Sequence, residues 1–262
     1  MSFQGQTVHD LRVCKGKRKL AYVQAAREEE VIAAAEACMD MIGTAFIPER
    51  AHFAGLAKGT HFQFGLPWGK HASATEALRD AMQAMQAGAQ SVYCGMSPTI
   101  VEVLAREGVP VICHVGLVPP KATWTGGFRA VGKTPEQARD VLRAVRDFEN
   151  AGAFAVELEV VPANLAAAIT ERSTMLTISL GSGSDCDAQY LFSADLLGEN
   201  SGHIPRHAKV YRNFAAERER LQAERVAAYR EYIEDVAEQR FPEKAHAVRM
   251  DEAVVAEALK NA

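Results

Sequence analysis

The chain has 262 residues, 48% of them hydrophobic and 24% charged, enough apolar material for one sizeable core. Its 29 basic and 33 acidic residues leave a net charge of −4 with no dominating basic block, which argues against a surface built for nucleic-acid phosphates. No apolar run approaches the roughly 20 residues that span a bilayer, and the N-terminus lacks the apolar stretch of a signal peptide. The expectation is a cytoplasmic protein with no membrane or nucleic-acid partner.

From residue 39 onward, short apolar runs alternate with amphipathic stretches. Met39–Ile47 reads as a strand, and His61–Gly65 as another that stops at Leu66-Pro67-Trp68-Gly69. Ser73–Ala87 has Ala77, Leu78, Ala81 and Met85 at helical spacing, with Gly88 behind it. Ser91–Cys94 is strand-like, Pro98–Arg106 helical, and Val109–His114 the next strand. After a longer loop over Gly116–Lys133, Thr134-Pro135-Glu136 opens a helix that runs to about Asn150. Phe154–Glu159, Pro162–Glu171 and Met175–Leu180 continue the pattern as strand, helix and strand, ending in Gly181-Ser182-Gly183. Repeated strand–helix–strand units with short links predict a parallel sheet with crossover helices, and the repeat count favours a (β/α)8 barrel over an open doubly wound sheet. Asn213–Gln239 and Met250–Leu259 read as helices. The expected organisation is one barrel domain over residues 1–262, with 213–262 as a helical C-terminal extension that packs on the barrel or on another subunit.

Chemistry in such folds belongs at the carboxyl ends of strands. His114 closes one strand. Glu157 and Glu159 lie two apart on the next, hence on one face, with Glu159 at its end and Glu157 one pleat deeper. Each carboxylate is either paired structurally or functional. Gly181-Ser182-Gly183-Ser184 is either a backbone cradle for an anion or a tight turn. The five cysteines have neither CxxC nor zinc spacing and read as reduced thiols. His203 and His207 stand four apart, but Pro205 between them disfavours a helical metal pair.

These residues carry a resemblance. His114-Val115-Gly116-Leu117-Val118-Pro119, Gly126–Thr134, Gly152–Pro162, Gly181–Gln189 and Asp195-Leu196-Leu197-Gly198, in this order and spacing, resemble the ketopantoate hydroxymethyltransferase family over about Arg18 to Tyr211. The resemblance implies a (β/α)8 barrel of the phosphoenolpyruvate mutase and isocitrate lyase kind, assembled into dimer-based oligomers up to decamers. It implies transfer of a hydroxymethyl group from methylenetetrahydrofolate to a small anionic 2-oxo acid. Glu159 falls on the family's acid/base and His114 on its substrate-contacting histidine.

The family's metal residues are not kept. Phe46 (or Ile47, one register on) and Gly65 fall where it has aspartates, Gly95 where it has a glutamate, and Tyr93 where it has a substrate-binding lysine. Hard divalent ions need oxygen ligands, so no metal is expected at that site. Tyr93, Cys94, Glu49, Arg50, Gly65, Gly95 and Ser182 are the candidate substrate-binding residues around Glu159 and His114. For Tyr93 the alternative is barrel filling, and for Glu49–Arg50 a solvated pair. Two other readings stay open. One is a metal-independent C–C lyase or hydrolase of the same superfamily, or a binding homologue without chemistry. The other is a metal site rebuilt from Glu49 with His52 or His61.

Overall fold

In a computed structural model, residues 5–200 and 202–260 are described. The chain divides into two compact units, Met1–Arg212 and Asn213–Ala262.

The first unit is a closed barrel of eight parallel strands in sequential order. They are β1 (Leu20–Gln24), β2 (Met41–Ala45), β3 (His61–Gly65), β4 (Ser91–Tyr93), β5 (Val111–Gly116), β6 (Ala155–Glu159), β7 (Leu176–Leu180) and β8 (Ala188–Phe192). Helices α1 (Val8–Val13), α2 (Glu28–Glu36), α3 (Phe53–Leu56), α4 (Ala74–Gln86), α5 (Pro98–Arg106), α6 (Ala122–Thr125), α7 (Pro135–Asn150) and α8 (Ala163–Arg172) precede or connect them, and α9 (Ser193–Leu196) follows β8. The predicted helices over 73–171 are present with ends shifted by about a residue, and their sequence signals work locally. Ser73 accepts from the Glu76 amide to start α4, and Thr134 accepts from the Gln137 amide beside Pro135 to start α7. Ala77, Ala81 and Ala84 of α4, and Val141, Val145 and Phe148 of α7, form the stripes that face the barrel.

Strand alternation sorts side chains into two cores. Phe62, Phe64, Val92, Cys113, Val156 and Leu158 point outward, into the layer between strands and helices. Leu20, Tyr22, Met41, Ile112, Leu176, Ile178 and Tyr190 point into the barrel, where Tyr22 and Tyr190 stack with centroids 4.1 Å apart. The inner row is capped toward the carboxyl ends by polar groups, and that is where the site lies.

The second unit contains α10 (Phe214–Ala237) and α11 (Glu252–Leu259). No residue of α10 is buried, and its Leu221, Tyr232 and Val236 are exposed. Among the described residues no helix is long and apolar enough to cross a membrane.

Candidate active site

Three inward-facing strand residues meet near the carboxyl ends. β5 and β6 pair so that His114 stands beside Glu157 and Gly116 beside Glu159. The two-residue period of β6 then aims both carboxylates inward. His114, Glu157 and Glu159 each bring a ligand-type atom within 4.8 Å of the others, and all three are buried. Glu157, read from the sequence as a deeper residue, therefore belongs to the same cluster as Glu159.

The orientation of His114 is determined by its partners. Its Nε2 lies 2.8 Å from the Leu117 carbonyl and 3.2 Å from Glu159 Oε2. A carbonyl only accepts, so Nε2 carries the proton and donates. Nδ1 lies 2.6 Å from the Tyr93 hydroxyl, which donates to it while the ring is neutral. Tyr93, His114 and Glu159 thus form one chain of hydrogen bonds across β4, β5 and β6. Burial alone lowers the His114 pKa, but the bond to Glu159 and the nearby Glu157 charge outweigh it and hold the pKa above the usual histidine value. Burial pushes the Glu157 carboxyl up to about 7, against the pull of His114 and with the Glu159 charge adding to the rise. Burial, then the two glutamate charges, raises the Tyr93 phenol, which stays protonated.

Above this chain lies a cleft of ≈ 1320 Å³ with Glu159 among its lining residues. Arg129, Lys133 and Arg206 bring positive charge to its walls, and Trp124 and Phe128 bring exposed aromatic rings. His114 and Tyr93 do not line the cleft; they stand behind Glu159 and hold it.

The two glycines that the resemblance sets at metal-ligand positions both lie against Tyr93. A Cβ on Gly65 would lie 3.4 Å from Tyr93 Cδ1, and one on Gly95 would lie 3.1 Å from the Tyr93 hydroxyl. The Tyr93 side chain borders both positions, its ring at contact distance from Gly65 and its hydroxyl closer to Gly95. Phe46 faces away from the site, with its ring edge on Phe64 in the outer core at 5.1 Å.

Tyr93, Gly65 and Gly95, expected to bind substrate, and His114, expected to contact it, do not line the cleft. The reason is that Tyr93 and His114 are bonded to each other beneath it, and the two glycines border the Tyr93 side chain. Four further sequence expectations need correction. Cys94 points outward into the core around Val92 and Phe64, because it follows inward-facing Tyr93 by one residue, and burial pushes its thiol up to about 11. Ser182 is a structural clip: its hydroxyl donates to the Leu158 carbonyl and accepts from the Val161 amide. Glu49 and Arg50 sit on a 3-10 turn after β2, where Arg50 donates to the Thr44 hydroxyl at 3.3 Å, and neither lines the cleft. A rebuilt metal site is not assembled either. His61 is at the opposite end of β3, between the Gln6 carbonyl and the Ser91 hydroxyl, and His52 pairs with Glu28. Conversely, Arg129, Lys133 and His207 line the cleft although sequence reasoning did not single out Arg129 or Lys133 and set His207 aside.

The ketopantoate hydroxymethyltransferase family model matches residues 46–244. The chain is 39% identical over 205 residues to the 3-methyl-2-oxobutanoate hydroxymethyltransferase of Deinococcus radiodurans, covering 76% of this chain and 70% of that one. It is also 39% identical over 186 residues to the enzyme of the same description from Geobacillus thermodenitrificans, covering 70% of this chain and 64% of that one. Among solved structures, 2,3-dimethylmalate lyase, a PEP mutase/isocitrate lyase superfamily member, matches with a TM-score of 0.53 at 14% identity over 98% of this chain and 100% of that one. A phosphonopyruvate hydrolase in complex with oxalate and Mg++ matches with a TM-score of 0.54 at 10% identity over 98% of this chain and 96% of that one, a likeness of fold. On the sequence matches, this chain belongs to the ketopantoate hydroxymethyltransferase family.

Proposed function

We propose that this protein transfers a hydroxymethyl group to C3 of a small 2-oxo acid, using Glu159 as the proton-transfer group and no divalent ion at the family's metal position. The observation that carries the reading is the position of Glu159. It is the one carboxylate of the inner cluster that lines the cleft, and His114, itself held by Tyr93, donates to it from behind.

The chemistry follows from that placement. Glu159 accepts the C3 proton of the bound 2-oxo acid, and the C3–H electron pair forms an enolate with its charge on the C2 oxygen. C3 then attacks a one-carbon unit at the oxidation level of formaldehyde; a C–C bond forms and the carbonyl pair moves onto the new alkoxide oxygen, which takes up a proton. Methylenetetrahydrofolate is the donor that the family resemblance implies. Water adds to its methylene carbon, both C–N bonds break with the protons of the water passing to the folate nitrogens, and formaldehyde and tetrahydrofolate result. The exposed Trp124 and Phe128 rings suit such a planar ligand. Arg129, Lys133 and Arg206 suit the substrate carboxylate and the developing enolate charge.

The residues at the family's metal position do not fit a divalent ion. Phe46 and the two glycines offer no side-chain oxygen, Phe46 packs on Phe64, and the Tyr93 side chain borders both glycines. In the remaining cluster both His114 nitrogens are engaged in hydrogen bonds. The enolate charge therefore falls to the cationic cleft wall. The direct test is product formation from 3-methyl-2-oxobutanoate and methylenetetrahydrofolate. The wild-type protein is expected to form the hydroxymethylated acid, and Glu159→Gln to be slower by roughly 10²-fold or more, the usual range for a general acid/base. No hydroxymethylated product from the wild type would overturn the reading.

A further inference from the structure

We propose that His207 is a second proton-transfer residue of this site, acting on the one-carbon unit from the cleft wall while Glu159 acts on C3. The proposal rests on the reading above and adds a residue to it.

The addition reaction has two proton events at different atoms. Glu159 takes the C3 proton. When the C3–C bond forms, the former carbonyl pair resides on the new hydroxymethyl oxygen, which takes up a proton, and a second group on the same cleft can deliver it. His207 gives its ring proton to the alkoxide. The proton left on Glu159 then returns to His207, directly or through solvent, so each turnover balances without any oxidant or reductant.

The structure positions His207 for this part. The turn closed by the Ala208 amide on the Pro205 carbonyl carries it, and the following segment is tied to the barrel where the Tyr211 amide donates to the Leu196 carbonyl. The imidazole lies against Gly181 at the end of β7: a Cβ at 181 would stand 2.7 Å from His207 Nδ1, and Gly181 has φ of +75°. Both facts call for glycine there, which accounts for the first glycine of Gly181-Ser182-Gly183 as the seat of the ring. His207 and Glu159 line the same cleft.

Two histidines line the cleft, and of these His203 is exposed while His207 is half-buried. The His52, His61, His71 and His114 rings all have protein hydrogen-bond partners. His207 has none among the described residues, and it is half-buried. Burial lowers its pKa below the ordinary 6.5, the Glu159 and Asp195 carboxylates oppose that, and Arg206 adds to it. His203, Arg129 and Lys133 line the same cleft. A lowered pKa makes the protonated ring the stronger acid toward an alkoxide.

Two readouts on one variant test the proposal. The first is exchange of the C3 hydrogen of 3-methyl-2-oxobutanoate with D2O, which needs Glu159 and no one-carbon donor. The second is formation of the hydroxymethylated acid in the presence of methylenetetrahydrofolate. His207→Gln is expected to keep exchange within about threefold of wild type, which also reports a folded site, while product formation falls by roughly 10²-fold. Glu159→Gln is expected to lose both. Product formation at the wild-type rate in His207→Gln overturns the proposal, as does parallel loss of exchange and transfer with the fold intact by circular dichroism. A wild-type protein that exchanges C3 but forms no product overturns the parent reading of transfer, a different result from failure of His207 alone.

Discussion

Replacing Tyr93 by Phe removes one oxygen and leaves the ring that borders Gly65 and Gly95. The substitution creates no cavity, so its effect isolates the 2.6 Å bond to His114 Nδ1. Nε2 is committed as donor to the Leu117 carbonyl and Glu159, so Nδ1 is an acceptor that would then be buried without a partner. Such a group costs about 1–3 kcal/mol. In a domain of this size each kcal/mol moves Tm by roughly 2–4 °C, so a drop of about 2–12 °C is expected in a thermal scan. The ring also loses what favours its Nε2–H form. The alternative Nδ1–H form cannot donate to Glu159, and C3–H exchange with D2O should slow by roughly tenfold, within the range of second-sphere effects on a catalytic group. Unchanged Tm together with unchanged exchange would refute the account of a Tyr93–His114–Glu159 chain.

Glu157 gives a pH prediction of definite sign. Its folded pKa of about 7 lies above the ordinary 4.5, so the folded protein retains a proton that the unfolded chain releases, and stability falls as pH rises from about 4.5 to 7. Glu157→Gln, neutral at every pH, should therefore stabilise the protein at pH 8 by up to about 3 kcal/mol, with the gain vanishing near pH 4; urea unfolding at both values checks it. Ser182→Ala should lower stability by about 1–3 kcal/mol, since the Leu158 carbonyl and Val161 amide lose their shared partner, without a large change in KM. A raised KM at constant Tm would return Ser182 to the substrate. We further propose that the exposed apolar residues of α10 support self-association: sedimentation should give a mass above the monomer that falls when Tyr229 and Ile233 are changed to Glu, and a concentration-independent monomer for the wild type would contradict it.

The barrel was legible because β3 to β7 and their helices carry strong local signals: glycine stops, capped helix starts and short apolar runs. β1 and β8 were not read as strands. Leu20–Gln24 follows a basic run and ends in Gln, and Ala188–Phe192 lies directly behind a glycine-rich motif. The pairing of Glu157 with Glu159 followed from strand period alone. The same period already separates Tyr93 from Cys94, since neighbours on one strand face opposite sides, so the error at Cys94 was avoidable. His207 was not. Its spacing from His203 suggested only a helical metal pair, while its actual place depends on a tertiary seat against Gly181, 26 positions earlier in the chain. Nor does sequence alone reveal that the Tyr93 side chain borders Gly65 and Gly95, because strand pairing and the loop after β4 bring them together.

The central claim is that Glu159 enolises a 2-oxo acid without a divalent ion at the family's position. C3–H exchange of 3-methyl-2-oxobutanoate in D2O, followed by proton NMR with and without EDTA, measures that step alone. Exchange by the wild-type protein should be the same after chelation and should fall by roughly 10²-fold or more in Glu159→Gln. Exchange that disappears with EDTA and returns with Mg²⁺, or that persists at the wild-type rate in Glu159→Gln, would contradict the account.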